Sequence, residues 1–219
     1  MPDLTPVRFY AILDTGYVGP DQWAEKCRQL IAGGADLVQV RAKAETLDER
    51  RRLLHAILPL FDPDSNLSPH GRPPRLIVND DIDLCLEYPG LGLHVGQDDL
   101  PVTEARRRLG PERILGLSTH SIEQAENAIS LVSQLSYFAV GPVFPTPTKP
   151  DYSSVGLELV EHVAGRRPPL PFFCIGGIKL TNVRDVLRAG AKRVVVVSEV
   201  LQAPDSAKAV SAFRRILAD

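Results

Sequence analysis

Acidic and amide side chains follow two short apolar runs in the first half of the chain. Asn79, Asp80 and Asp81 stand at the end of one run, and Asp98 and Asp99 come shortly after the next. Carboxylates from neighbouring segments can face one another across a gap, and Mg²⁺ typically takes one or two carboxylates and completes its octahedron with water and substrate phosphates. The pattern indicates a magnesium site, although one member of each pair could instead cap the helix that follows.

A second group of candidate residues alternates along residues 39–43, which read QVRAK. In an extended strand, the two-residue alternation places Gln39 and Arg41 on one side. A guanidinium can hold phosphate oxygens bidentately, and Lys43 would add a point charge. The group therefore indicates a bound anion, with solvated surface charge as the alternative.

Two further segments have features of phosphate-binding loops. Residues 141–150 read GPVFPTPTKP, so that prolines stiffen the chain around Thr146, Thr148 and Lys149. Restricted φ angles favour a preformed loop whose hydroxyls and ammonium group could hold a phosphate, although a rigid connector would have the same prolines. Gly176 and Gly177 follow another apolar run, and their amides could bind a phosphate or simply form a tight turn.

Ser118 and two histidines complete the set of candidate residues. Ser118 lies at the end of an apolar run and could hydrogen-bond a substrate. His94 and His120 lie near the same level, where a lone histidine more often packs or forms a hydrogen bond than catalyses. The chain has no histidine pair at the helical HxxxH spacing, which argues against a histidine zinc site.

Eight β-rich apolar runs alternate with segments of helical period along the whole chain. The runs are residues 9–14, 37–41, 75–80, 92–96, 114–119, 137–142, 171–177 and 193–199. This count in 219 residues predicts an α/β fold, a (β/α)8 TIM barrel with parallel inner strands, and a doubly wound open sheet is the competing arrangement. Polar residues follow nearly every run, whereas an open sheet concentrates its site at one switch point, so we favour the barrel.

Capping signals sharpen the start of three helices. Thr46 with Glu49 and Ser121 with Gln124 match the capping box, and Thr181 is expected to cap the helix that follows it. The Pro- and Ser-rich residues 62–74 predict an exposed loop on the N-terminal side of the third strand, away from the chemistry. We expect residues 1–219 to form one domain with its core at about 9–217.

Charge and composition narrow the classes of function. Lys and Arg total 25 against 27 Asp and Glu, which gives a net charge of -2 and no basic field for nucleic acid or anionic lipid. Cys27, Cys85 and Cys174 stand far apart, and the opening residues lack the features of a signal peptide. We therefore expect a cytoplasmic protein that acts on small molecules, with no nucleic-acid or membrane partner. A homo-oligomer is compatible with the sequence, which does not fix the oligomeric state.

Seven short segments, taken in order, form a recognisable pattern. They are 39–43 (QVRAK), 78–80 (VND), 92–100 (GLHVGQDDL), 116–121 (GLSTHS), 141–149 (GPVFPTPTK), 156–158 (GLE) and 176–178 (GGI). Together they resemble the thiamine-phosphate synthase family, from about residue 9 to residue 198. The PTxTK loop and the GQxD turn are the specific elements, whereas GGI occurs in many barrels. The chain departs from the family at Val155, where glutamine is common.

The resemblance implies a transferase that joins hydroxymethylpyrimidine diphosphate to hydroxyethylthiazole phosphate and releases pyrophosphate. It implies Mg²⁺ as the cofactor, held by Asp80 and Asp99. The residues implied to act in catalysis are Arg41, Lys43, Ser118 and Lys149. The residues implied to bind substrate are Gln39, Arg41, Lys43, Asn79, Ser118, Thr146, Thr148, Lys149, Gly177, Val197 and Ser198.

Within that set, the resemblance divides the roles between the two substrates. Arg41, Lys43, Asn79 and Lys149 are implied to contact the diphosphate, whose departure would leave a pyrimidine methylene cation. Gln39 and Ser118 would orient the pyrimidine. Thr146, Thr148, Gly177 and Ser198 would hold the thiazole and its phosphate.

Two rival functions share the predicted fold. A thiazole tautomerase would use a histidine near the end of the fifth strand, as His120 is placed, and would need no diphosphate or metal site. A non-catalytic phosphate-metabolite sensor would need only the paired glycines. The combination of Arg41, Lys43, Asp80 and Asp99 with Lys149 argues against both rivals.

Overall fold

Within residues 2–146 and 153–218, which the computed structural model describes, eight parallel strands form a closed barrel in chain order. The strands are β1 (Phe9–Asp14), β2 (Leu37–Arg41), β3 (Arg75–Asn79), β4 (Gly92–Val95), β5 (Leu115–Thr119), β6 (Tyr137–Val140), β7 (Phe172–Ile175) and β8 (Val194–Val196). β1 pairs with both β2 and β8, which closes the sheet. The predicted TIM barrel is confirmed, and the doubly wound sheet is excluded.

α-Helices follow the strands and cover the outside of the barrel. They are α1 (Trp23–Ala32), α2 (Leu47–Ile57), α3 (Ile82–Glu87), α4 (Val102–Leu109), α5 (Ile122–Ser130), α6 (Gly156–Arg166), α7 (Val183–Arg188), α8 (Ser198–Leu201) and α9 (Ser206–Ala218). Their apolar faces pack on the outward side chains of the strands and form the larger hydrophobic core. None of these described helices is long and apolar enough to cross a membrane.

The interior of the barrel is filled by aromatic and aliphatic side chains rather than left as a pore. The rings of Tyr10, Tyr137 and Phe173 meet edge to face, with centroids 5.2–5.8 Å apart, a favourable arrangement of their quadrupoles. Gly116 on β5 leaves room for one of these rings, because an added Cβ would lie 2.1 Å from Cζ of Tyr137. Within the described residues, these side chains fill the interior below the C-terminal mouth, which is the end at which barrels of this kind bind ligands.

Several predicted strands extend one to three residues too far. β3 ends at Asn79 because Asp80 has a φ of +62°, and β7 ends at Ile175 because Gly176 and Gly177 have φ values of +99° and +62°. Left-handed backbone cannot continue a strand. The apolar and polar residue types correctly located these strands but did not show where the backbone turns.

The capping predictions have three different outcomes. Thr46 forms a full capping box at the start of α2. The Ser121 hydroxyl accepts from the N–H of Gln124 at 3.2 Å, but the Gln124 side chain accepts from the N–H of His120 instead of closing the box.

The prediction that Thr181 caps the next helix was wrong. α7 begins at Val183, after Asn182, and has no side-chain cap. Asn182 stabilises the preceding turn instead, since its Oδ1 accepts from the N–H of Lys179 at 2.8 Å and its Nδ2 donates to the carbonyl of Gly177 at 3.0 Å. The turn after β7 is thereby tied to the start of the helix.

Residues 62–74 are mostly exposed and lead into the N-terminal end of β3, as predicted. They include one short 3-10 turn, Pro63–Ser65, which the composition did not indicate. Because parallel strands place all their C-terminal ends on one face, this segment lies on the face opposite the mouth.

Candidate active site

A cavity of about 1080 Å³, including space open to solvent, occupies the C-terminal mouth of the barrel. Side chains from all eight strands line it, together with the segments after β6, β7 and β8. The sequence-predicted residues that line it are Gln39, Arg41, Asn79, Ser118, Thr146, Gly177, Val197 and Ser198. The strand ends thus bring together predicted residues that are as far apart in sequence as Gln39 and Ser198.

A cluster of charged groups stands at the rim beside the cavity. The carboxylate of Asp80 accepts from Nζ of Lys43 and, at 2.6 Å, from Nδ2 of Asn79. Its backbone N–H donates to the carbonyl of His94 at 2.8 Å, which holds the residue in its left-handed conformation. A non-glycine residue with positive φ stores strain, and such residues concentrate at functional sites.

The second carboxylate of this cluster belongs to Asp99. Its Oδ2 accepts from the N–H of Gly96 at 2.7 Å. Although Asp99 is an exposed residue, partial desolvation of its carboxyl and a hydrogen bond with Asp80 raise the pKa of that carboxyl. Two carboxyl groups that share a hydrogen bond are close enough to share a cation, which would remove their mutual repulsion.

These residues fit the needs of Mg²⁺. Among the described residues, no group of three or more His, Cys, Asp and Glu side chains is placed to hold a metal, but Mg²⁺ commonly uses only one or two carboxylates with water and phosphate oxygens. Asp80 and Asp99 offer that pair of hard oxygen ligands at the edge of the cavity. The magnesium assignment itself stays a prediction.

The neighbouring acidic residues behave differently from the two in the cluster. Asp81 caps α3 by accepting from the N–H of Leu84 at 2.9 Å, and it also pairs with Arg50 at 3.2 Å. Asp98 is exposed, and α4 begins after Pro101 without a side-chain cap. The helix-capping alternative therefore holds for the first acidic pair and not for the second.

Arg41 is held at the mouth by a residue that the sequence analysis did not select. Its Nη1 donates to Oδ2 of Asp14 at 2.6 Å, and the Asp14 side chain is only 4% exposed. Oδ1 of Asp14 accepts from the N–H of Gly16 at 2.9 Å. A guanidinium has five N–H donors, so this pairing fixes its position and leaves capacity to bind an anion.

Five polar side chains form a continuous hydrogen-bonded chain across the barrel interior. Nε2 of Gln39 donates to the Tyr10 hydroxyl at 2.6 Å, which lies 2.9 Å from the hydroxyl of Tyr137. The Tyr137 hydroxyl lies 2.9 Å from Nδ1 of His94, and Nε2 of that ring lies 2.9 Å from Oγ of Ser118. We call these five residues the interior relay. Its two ends are the residues that the resemblance assigns to the pyrimidine.

His120 also lines the cavity, as its place at the end of β5 predicts. Its Nδ1 forms a hydrogen bond with the carbonyl of Gly141, and its backbone N–H donates to Gln124 at 2.7 Å. The ring thus connects the end of β5 to the segment after β6, a positioning role that does not require catalysis by this histidine.

The turn after β7 packs directly on the segment after β6. A Cβ at Gly176 would lie 2.4 Å from Cα of Pro142, and one at Gly177 would lie 2.6 Å from the carbonyl oxygen of Pro145. Only glycine fits such contacts at positive φ. Val197 and Ser198, at the start of α8, lie on the same side of the cavity. This wall is the location predicted for the second anion. Thr148 and Lys149, also predicted to contact substrate, lie outside the described residues.

The sequence analysis missed Asp14, Tyr10 and Tyr137 as site residues. Asp14 ends β1 and lies opposite Arg41 in the strand register, so the strand-end rule could have found it. The tyrosines had no comparable signal, because aromatic residues in strands usually indicate packing. His94 was placed near the rim, but it is buried and lies inside the relay.

Comparison with known proteins gives consistent matches along the chain. A family model described as thiamine monophosphate synthase matches residues 9–200. The thiamine-phosphate synthase of Acidothermus cellulolyticus is 42% identical over 189 residues, covering 86% of this chain and 85% of the relative. That of Deinococcus radiodurans is 41% identical over 198 residues, covering 90% and 68%.

Solved structures agree with the sequence matches. A thiamine phosphate pyrophosphorylase from Pyrococcus furiosus has a TM-score of 0.81 at 28% identity, covering 97% of this chain and 96% of that one. A 3-hexulose-6-phosphate synthase has a TM-score of 0.57 at 15% identity, covering 95% and 99%. The second similarity shows the fold alone.

Proposed function

This chain belongs to the thiamine monophosphate synthase family, and from that premise we propose that it joins hydroxymethylpyrimidine diphosphate to hydroxyethylthiazole phosphate by a dissociative route. The bond between the pyrimidine methylene carbon and the diphosphate oxygen breaks, and pyrophosphate leaves with the electron pair. The thiazole nitrogen then attacks the methylene cation and forms the new C–N bond. No protein nucleophile is required.

The leaving group is the part of the reaction that most needs the protein. Arg41, fixed by Asp14, and Lys43, beside Asp80, place positive charge where the diphosphate develops negative charge. Preorganised charge of this kind stabilises the transition state without reorganisation. Lys149 adds a third cation in the proposal.

Asp80 and Asp99 would hold Mg²⁺, whose charge, when the ion is bound, neutralises the departing diphosphate. The raised pKa of Asp99 and its hydrogen bond with Asp80 support this pairing. Lys43 and Asn79 both contact the Asp80 carboxylate and keep it turned toward the same point.

The methylene cation needs an environment that keeps water away until the thiazole attacks. Ile12, Ile175, Ile178 and Val195 give the cavity apolar walls, and exclusion of water prevents its capture by hydrolysis. Binding both substrates in this one cavity also removes the entropy cost of their encounter.

The second substrate is assigned to the opposite wall. Thr146, Gly177, Val197 and Ser198 line it together, and Thr148 joins them in the proposal. Hydroxyl groups and glycine amides are suitable donors for a phosphate. This arrangement keeps the thiazole phosphate apart from the cations that serve the diphosphate.

The observation that carries the proposal is the rim cluster of Lys43, Asn79, Asp80 and Asp99 at the mouth that also contains Arg41. A thiazole tautomerase needs neither a diphosphate site nor paired carboxylates, and a phosphate sensor needs only the glycine turn. We also propose a cytoplasmic setting, because the three cysteines are buried and free, as suits a reducing compartment.

The experiment is to incubate the purified protein with both substrates and Mg²⁺ and to quantify thiamine phosphate. We expect product only when all three components are present. Thiazole phosphate alone is the matched control, since conversion between its tautomers without the pyrimidine substrate would support the tautomerase. Binding of both substrates with no conversion of either would support the sensor.

A further inference from the structure

The interior relay has a defined direction, set by its first member. Nε2 of Gln39 carries hydrogens and no free lone pair, so it can only donate to the Tyr10 hydroxyl. Each tyrosine hydroxyl has one proton. Among the described contacts, the Tyr137 oxygen is the acceptor that satisfies the buried Tyr10 proton, which leaves the proton of Tyr137 for Nδ1 of His94.

The same count of protons fixes which ring nitrogen of His94 carries the hydrogen and in which direction its hydrogen bond with Ser118 runs. Because Nδ1 of His94 accepts, the ring hydrogen lies on Nε2, which donates it to Oγ of Ser118. One lone pair of the Ser118 hydroxyl oxygen is thus engaged from inside the barrel. Its own hydroxyl hydrogen is left to point into the cavity, which Ser118 lines.

The relay residues inside the barrel are buried, so that water does not compete for their hydrogen bonds. Tyr10 and Tyr137 are at most 1% exposed, and His94 is 8% exposed. Burial raises the pKa of both tyrosines, so both keep the proton that the relay needs. The imidazole ring also stacks on Tyr137, with centroids 5.6 Å apart, which holds the ring plane in place.

We propose that Tyr10, Tyr137 and His94 are positioning residues that leave the hydroxyl hydrogen of Ser118 available, so that Ser118 donates a hydrogen bond to the pyrimidine substrate. The cavity floor then selects a pyrimidine that presents an acceptor atom at this point. The identity of the substrate rests on the proposed function, whereas the direction of the relay does not.

The direction can be measured in the free protein. The chain has five histidines, and ¹⁵N-histidine NMR of the wild type, with His94→Gln used to assign the signal, reports which nitrogen carries the hydrogen. We expect the ring hydrogen of His94 on Nε2 and none on Nδ1. A ring protonated at Nδ1, or at both nitrogens, would overturn the proposal whether or not the protein is a synthase.

The effect on the reaction is measured with Tyr137→Phe, which removes the donor to Nδ1 of His94. We expect kcat/KM for the pyrimidine diphosphate to fall about tenfold, as for loss of one ordered hydrogen bond, with the KM for thiazole phosphate unchanged. Tyr88→Phe is the matched control, since it removes a tyrosine–histidine hydrogen bond of 3.0 Å, to His55, on the outer wall.

The NMR spectrum and the kinetics of the variant test the direction of the relay, the positioning role and the proposed function separately. Wild-type kinetics in folded Tyr137→Phe would overturn the positioning role, and so would an equal loss for both substrates. If that variant does not fold, Tyr10→Phe provides the same kinetic comparison, and the wild-type spectrum still decides the direction. Absence of synthase activity with the expected spectrum would refute the proposed function and leave the direction of the relay intact.

Discussion

Replacing Asp99 with asparagine should separate the role of the rim carboxylates in metal binding from any role in folding. Asparagine keeps an oxygen that can accept from the N–H of Gly96, a bond of 2.7 Å in the structure, but it removes one of two negative charges beside the proposed metal. Loss of one such electrostatic contact typically lowers turnover about 10²-fold. We expect Asp99→Asn to lose turnover by this factor when the Mg²⁺ concentration is limiting.

Asp99→Asn should lower turnover but raise the free energy of unfolding of the metal-free protein. The pKa of Asp99 is raised, so the folded protein holds this proton more tightly than the unfolded chain, and the ionised carboxylate opposes folding as the pH rises. Asp99→Asn removes that repulsion. The gain should stay below about 1 kcal/mol because the group is partly solvated, which corresponds to at most roughly 2–4 °C in Tm.

The assay measures activity against Mg²⁺ concentration together with Tm in chelator and in excess Mg²⁺. Asp98→Asn is the matched control, with the same change of charge at the adjacent exposed residue, and it should behave as wild type. Equal losses in both variants, or full wild-type activity in chelator, would refute the assignment of Asp80 and Asp99 as the metal ligands.

Three further predictions concern the cations and the barrel interior. Lys149→Met should lower kcat about 10²-fold and change substrate affinity less, and a rise in the KM for thiazole phosphate alone would move this lysine to the second anion site. Arg41→Met leaves the Asp14 carboxylate, on a residue 3% exposed, without its cationic partner and should lower the free energy of unfolding in urea by about 3 kcal/mol. Adding Asp14→Asn should restore most of the stability and none of the activity, and no recovery would contradict the pairing. Gly116→Ala places a Cβ 2.1 Å from the Tyr137 ring and should cost about 1–3 kcal/mol, so an unchanged Tm would show that the interior can expand.

Much of the barrel could be predicted from the sequence because each strand is a short apolar run flanked by polar residues. The bounds of the strands were less predictable. Asp80 reads as a continuation of β3, but the hydrogen bond from its N–H to the His94 carbonyl depends on a neighbouring strand that sequence periodicity does not describe. The assignment of residues 1–219 to one domain stays a prediction.

Some residues of the candidate site could also be predicted from the sequence, and others could not. Gln39, Arg41 and Ser118 could be selected because polar residues at the ends of barrel strands converge on one mouth. Tyr10 and Tyr137 could not, since their hydroxyls meet only after the barrel closes and joins positions 127 residues apart. Their residue type alone indicates packing, and their hydrogen bonds are a property of the closed fold.

The most direct measurement follows thiamine phosphate and pyrophosphate together in a single turnover of the purified protein with Mg²⁺. It compares the parent pyrimidine diphosphate with an analogue whose ring carries an electron-withdrawing substituent. We expect equal amounts of the two products from the parent and a chemical step slowed about 10²-fold or more for the analogue, because the substituent destabilises the methylene cation and each factor of ten in rate corresponds to about 1.4 kcal/mol in the barrier. Absence of thiamine phosphate, or equal rates for the two substrates, would contradict diphosphate departure ahead of thiazole attack at this mouth.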